Sequence, residues 1–185
     1  MKIHSLLLWI GLVLVAGCSG VPVSVDYQPG YDFSQINRYY WLSPKAELQS
    51  ASIYNSELVG ARVEQAVEHE LLSLGILRTD AQADADVLVG YQIGIEKLVD
   101  IDTHLGLNGS FSRRSGVGLS LLGGHSREYD QSTLVIDLRD PGDNRLLWRG
   151  MAERRLSRFD TPQIHAAFIA ATVAAVLVQY PPPQQ

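Results

Sequence analysis

One cysteine occurs in this chain of 185 residues, Cys18, and it follows Val15-Ala16-Gly17 directly. A lone thiol cannot form an intramolecular disulfide. At this position, behind the basic Lys2 and the apolar stretch Leu6 to Val15, the chemistry it offers is attachment of a lipid. Other groups offer other chemistry. His104 and His125, with Asp100 and Asp102 nearby, are of metal-ligating types, but two histidines 21 residues apart in a glycine-rich stretch lack ligand spacing such as a helical i, i+4 pair. They read as solvated loop residues, and His69 and His165 as ordinary surface or boundary residues of helices. Asp84 and Asp86 alternate and would share a face on a strand. Lying before a strand, they are expected to accept hydrogen bonds from turn amides rather than to act as paired catalytic carboxylates. No Gly-any-Ser-any-Gly elbow is present, and Gly116-Val117-Gly118 lacks the third glycine and following helix of a dinucleotide fingerprint. Two further groups are candidates for recognition rather than catalysis. Arg149, Arg154, Arg155 and Arg158, with Glu153 among them, read first as a solvated strand end with local ion pairs, and could alternatively meet lipid headgroups or an acidic partner. Tyr39, Tyr40, Trp41 and Trp148 could form an aromatic surface, although strand aromatics ordinarily pack in a core.

The segment around Cys18 resembles a bacterial lipoprotein signal. The resemblance implies cleavage between Gly17 and Cys18 and diacylglycerol on the cysteine. The apolar run is too short to cross about 30 Å of hydrocarbon, which takes about 20 residues. Ser19, rather than aspartate, after the cysteine favours onward sorting to the periplasmic leaflet of the outer membrane. Several acyl chains anchor stably where one would be marginal. Ser19 to Pro22 can extend only about 14 Å, so the domain is expected to ride close to the bilayer.

Residues 1–17 hold one of the 15 basic residues and none of the 20 acidic ones, which leaves the mature chain at a net charge of −6. That balance argues against nucleic acid as a partner. Residues 18–185 suffice for one domain with a core resting on apolar burial.

The elements that must position these groups follow from periodicity. Val21, Val23 and Val25 alternate with polar residues and predict a strand ending near Tyr27; Gln28-Pro29-Gly30 is a turn, and Tyr39 to Leu42 a short aromatic strand. Residues 43–53 read as a loop. Val59, Val63, Ala66, Val67, Leu71 and Leu74 recur at helical spacing, with Asn55 or Ser56 to cap the start and Gly75 to end it. Asp80 to Asp86 form a polar turn before a strand from Val87 to Ile93, running on to about Leu98. Residues 99–128, punctuated by Gly116, Gly118, Gly123 and Gly124, suggest a strand near 115–121 between mobile connections. Tyr129 to Asp137 and Leu146 to Ala152 are the arms of a hairpin turning at Asp140 to Asn144. Thr161 and Pro162 open a last helix that runs to about Gln179. Although apolar almost all round, it is bounded like a helix packed on a sheet rather than one spanning a bilayer.

Three segments, in order, resemble a known family. Asp32-Phe33-Ser34 with Tyr39-Tyr40-Trp41 resembles its opening, Ala83-Asp84-Ala85-Asp86-Val87-Leu88-Val89 its central strand entry, and Thr133 to Asp137 with Leu147-Trp148-Arg149-Gly150 its closing hairpin; the ending near Tyr180-Pro181-Pro182 also fits. The family is the bacterial lipoprotein domain-of-unknown-function family 4136, and the resemblance covers about residues 24–182. Ile36 and Arg38 depart from it where an aromatic and a threonine are more usual. The resemblance implies a lipidated cell-envelope domain with a mixed sheet and two helices, and no activity whose catalytic residues could be carried over.

The expected fold is a single α+β domain over residues 23–182, with a mixed or largely antiparallel sheet of five or six strands and two helices on one face. A cleaved signal (1–17) and a lipidated tether (18–22) precede it, and a tail (183–185) follows. The expected role is non-enzymatic and cofactor-free: a lipoprotein of the outer membrane, facing the periplasm, that binds a protein or envelope component. The candidate interaction residues are Tyr39, Trp41, Arg149, Arg154 and Arg155. The alternative is a module binding a small molecule or lipid in a pocket between the sheet and the last helix, lined by Phe168, Ile169 and Trp148. A hydrolase with an unrecognised site is the third and weakest reading.

Overall fold

The computed structural model describes residues 20–42, 57–102, 125–156 and 161–183. The signal segment, Cys18, the 43–53 loop, the helix caps Asn55 and Ser56, His104, the strand expected near 115–121 and Arg158 lie outside them.

The chain order is β1 (Val23–Tyr27), β2 (Arg38–Trp41), α1 (Glu57–Ser73), β3 (Leu77–Arg78), β4 (Val87–Asp102), β5 (His125–Arg139), β6 (Leu146–Arg155) and α2 (Pro162–Leu177). The six strands form one mixed sheet in the order β1-β6-β5-β4-β2-β3. The β1–β6, β6–β5 and β5–β4 pairs are antiparallel, whereas β2 runs parallel to both β4 and β3. The fold class is thus α+β with two helices, as the alternation of patterns predicts.

Each helix has a local cause. On α1, Val59, Val63, Val67 and Leu71 recur at four-residue spacing and are all buried. Its end is a Schellman turn: Gly75 takes φ +82°, Gly75 N donates to Leu72 O (3.0 Å) and Ile76 N to Leu71 O (2.9 Å), with Ile76 buried beside the turn. Leu74, expected on the buried stripe, stands beyond the helix and is exposed. On α2, Thr161 Oγ1 accepts from Ile164 N (3.3 Å) and Pro162 sits in the first turn, where its missing N–H costs nothing. Ile169, Val173, Val176 and Leu177 are buried in the core shared with α1 and the sheet. No described helix is long and apolar enough to cross a membrane.

Strand alternation sorts the sheet into two faces. Tyr39, Val87, Val89, Leu134, Ile136, Leu138, Trp148 and Ala152 occupy the helix face and enter one core cluster with the helices. A bulge where β6 leaves the β5 register, between Leu138 and Arg139, gives β6 an extra residue, so that adjacent Leu147 and Trp148 are both fully buried. Gly150 is required by the packing. A Cβ there would lie 2.5 Å from Trp148 Cη2 and 2.5 Å from Val176 Cγ1, so a side chain would push α2 off the sheet.

Three strands exceed their expected lengths: β6 runs three residues past Ala152, and β4 and β5 extend further. β4 and β5 pair over fifteen positions, from Leu88↔Arg139 to Asp102↔His125, whereas β6 leaves β5 after Gln131↔Arg155. From Lys97↔Asp130 onward the pair continues as a two-stranded ribbon, about 20 Å long at strand rise.

Candidate functional site

The motif residues first build structure. Asp32 Oδ1 accepts from Ser34 N (3.0 Å) and Ser34 Oγ (2.6 Å), capping a short 3-10 turn that drives Phe33 into the core. Phe33 makes edge-to-face contacts with Tyr31 (4.9 Å) and Tyr180 (5.9 Å), and Tyr180 in turn with Trp148 (5.6 Å). Asp86 Oδ2 accepts from the backbone N–H groups of Asn37 (2.9 Å) and Arg38 (2.8 Å), fixing the start of β2. It therefore holds amides as expected, but those of a residue pair nearly fifty positions away rather than of its own turn.

The five candidate interaction residues divide between the two faces. Tyr39 is 1% exposed on the helix face, and Trp41 is partly buried beside it at 5.8 Å between rings, also edge-to-face with Tyr91 (6.1 Å). Burial pushes the Tyr39 hydroxyl up to about 12. Arg154 reaches under α2, donating to Thr172 Oγ1 (2.8 Å) and Phe168 O (3.2 Å), with its guanidinium 3.9 Å from the Phe168 ring centre. Burial lowers its pKa. Arg149 and Arg155 are on the second face, where Arg155 lies 3.6 Å over the Tyr129 ring.

On that second face lies a charge cluster that composition does not announce. Asp137, 4% exposed, accepts from Arg149 Nε (2.6 Å) and Nη2 (2.7 Å) and from Arg139 Nη2 (2.9 Å). The two-pronged hydrogen bonding with Asp137 raises the pKa of Arg149 against the opposing effect of burial. The available signal was a carboxylate inside the apolar run Leu134-Val135-Ile136-Asp137-Leu138. Its partner becomes visible only with the hairpin register, which sets Asp137 opposite Arg149.

Between α1, α2 and the sheet lies a cleft of about 30 Å³ lined by Val59, Val63, Ile93, Leu134, Phe168 and Ile169, with Ser132, His165 and Thr172 as polar members. That is room for one or two water molecules. Trp148, expected in its wall, is packed in the core instead. Arg62 Nη1 and His165 Nδ1 are 3.4 Å apart at its rim, and burial together with the Arg62 charge lowers the His165 pKa. Asp100, Asp102 and His125 fall on the backbone of the ribbon, with Asp102 opposite His125. Among the described residues no three His, Cys, Asp or Glu groups converge in a manner that could hold a metal ion.

The architecture defines a class: a single-sheet α+β domain with a helix pair covering one face and a charge cluster on the other. No curated protein matches the chain. The chain belongs to the family Domain of unknown function (DUF4136), whose model matches residues 23–182. In fold it is similar to a PDZ domain protein from Parabacteroides distasonis (TM-score 0.50, 15% identity, 89% of this chain and 36% of that one), so the chain spans about a third of that protein's length. Weaker overlaps link it to PelC from Paraburkholderia phytofirmans, crystallised as a dodecamer (TM-score 0.46, 14% identity, 84% and 95% of the two chains), and to a DUF4136 family protein from Bacteroides thetaiotaomicron (0.43, 11%, 88% and 96%).

Proposed function

We propose that this protein is a lipid-anchored component of the cell envelope, held by acylated Cys18 at the periplasmic face of the outer membrane, that binds a protein or envelope component without catalysing a reaction. The observation that carries this reading is the position of β1. It is an end strand of the sheet, paired through one edge to β6, and it begins five residues after Cys18. An end strand offers backbone donors and acceptors along its outer edge for strand addition by a partner. Here that edge is presented beside the anchor, so membrane placement and partner binding act together.

In-cell crosslinking followed by mass spectrometry tests the reading, comparing the native protein with Cys18→Ala held in the periplasm. A specific protein or cell-wall component captured only by the anchored form is the expected result. Equal capture by both forms contradicts the role of the anchor, and no capture by either contradicts the partner role.

A further inference from the structure

Antiparallel pairing fixes where the anchor emerges. Val23 is opposite Ala152, so the chain preceding β1 leaves toward Arg155, the end of the sheet from which the β4–β5 ribbon projects. Val21 still packs against the core, which holds the chain to the sheet up to that point. Cys18 lies two residues before Gly20 and can extend about 7 Å further. The ribbon projects about 20 Å from the same level. With the strands upright on the bilayer, the ribbon would pass the anchor by more than 10 Å on these dimensions and carry Glu128, Arg127 and the facing position Asp100 toward hydrocarbon, which charged side chains resist.

The sheet must therefore lean, and the two ribbon faces differ in what they would lay on the lipid. One face carries Lys97, Val99, Glu128 and Asp130, and no aromatic ring among the described residues. The other carries Leu98, Tyr129 and Arg127, together with Arg155 stacked on the Tyr129 ring; its acidic positions are Glu96, Asp100 opposite Arg127 and Asp102 opposite His125, and Glu153 further back accepts from Gln131 Nε2 (2.9 Å). Apolar bodies with phenolic or guanidinium tips are the groups that settle at a headgroup boundary. We propose that the ribbon lies along the anchoring bilayer with Leu98, Tyr129, Arg127 and Arg155 against the lipid headgroups. This rests on the lipid-anchored reading of Cys18.

The test uses the full chain, processed in cells and placed in vesicles of phosphatidylethanolamine and phosphatidylglycerol. An environment-sensitive fluorophore is attached at Leu98→Cys, at Val99→Cys on the opposite ribbon face, and at Val178→Cys just past the far end of α2. Arg127→Cys is a second reporter on the proposed face, and unchanged melting of each labelled protein confirms its fold. Headgroup-borne nitroxide is expected to quench positions 98 and 127 several-fold more than 99 and 178. Equal quenching at 98 and 99, or none at 98 and 127 in protein that floats with the vesicles, overturns the proposed surface and leaves the anchor standing. Protein that does not float, or wild type whose Cys18 takes up the thiol label, overturns the anchored reading and this surface with it.

Discussion

Asp137 and Arg149 face each other directly across the β5–β6 pair, joined by two hydrogen bonds of 2.6 and 2.7 Å, with Arg139 adding a third contact at 2.9 Å. The carboxylate is almost wholly enclosed, whereas the side chains of Arg149 and Arg139 remain 39% and 26% exposed. The enclosed partner sets the cost of breaking the cluster.

Asp137→Ala is accordingly expected to cost about 2 kcal/mol, below the usual ~3–5 kcal/mol for orphaning a fully buried charge because the arginines can turn to water. Urea unfolding measures it. The double variant Asp137→Ala/Arg149→Met should lose less than Asp137→Ala alone, since it removes one orphaned charge. A double variant no better than the single would show that lost packing, not unpaired charge, is the cause.

Gly150→Ala sets two effects against each other. Removing glycine stiffens the unfolded chain by roughly 0.4–1 kcal/mol in favour of folding. The new methyl meets Trp148 and Val176 at 2.5 Å, an overpacking that costs about 1–3 kcal/mol. Destabilisation should win, read as a lower denaturation midpoint at unchanged slope.

Asp86→Ala removes the acceptor of two backbone amides at the start of β2, and is expected to cost about 1–2 kcal/mol. Hydrogen exchange should localise the effect, with the Asn37 and Arg38 amides losing protection before those of β5 and β6.

His165 gives a pH dependence of defined sign. Burial and the nearby Arg62 depress its folded pKa below 6.5, so the unfolded state binds the proton more readily. The stabilising contribution is present above pH 6.5 and is lost as pH falls through the lower folded value. Thermal melts of wild type should therefore fall more steeply between pH 7.5 and 5 than those of His165→Gln. Parallel curves would contradict the assignment.

Much of the architecture was legible because short-range pattern and long-range packing agreed. The α1 quartet ending in Gly75, the Thr161-Pro162 start of α2 and the Asp140 to Asn144 turn each stand in the structure as the residues alone predict. β3 was not legible. Its two exposed residues carry no alternation, and the strand exists through backbone bonds at the start of β2, such as Leu77 N to the O of Asn37 just before it (2.8 Å). The ribbon was read too short because its polar positions obscure a ladder held by backbone pairing. The candidate surface was the least legible part. Arg154 and Arg155 are neighbours in sequence, yet strand alternation sends one beneath α2 and the other to the opposite face. Residue type cannot supply that assignment; register does.

The central claim is that Cys18 carries the lipid that places this domain at the membrane. Metabolic labelling with a radioactive fatty acid, followed by membrane fractionation of wild type and Cys18→Ala, tests it most directly. The account predicts labelled, membrane-bound wild type and an unlabelled variant released to the soluble fraction. A Cys18→Ala protein that still labels and still sediments with membranes would contradict it.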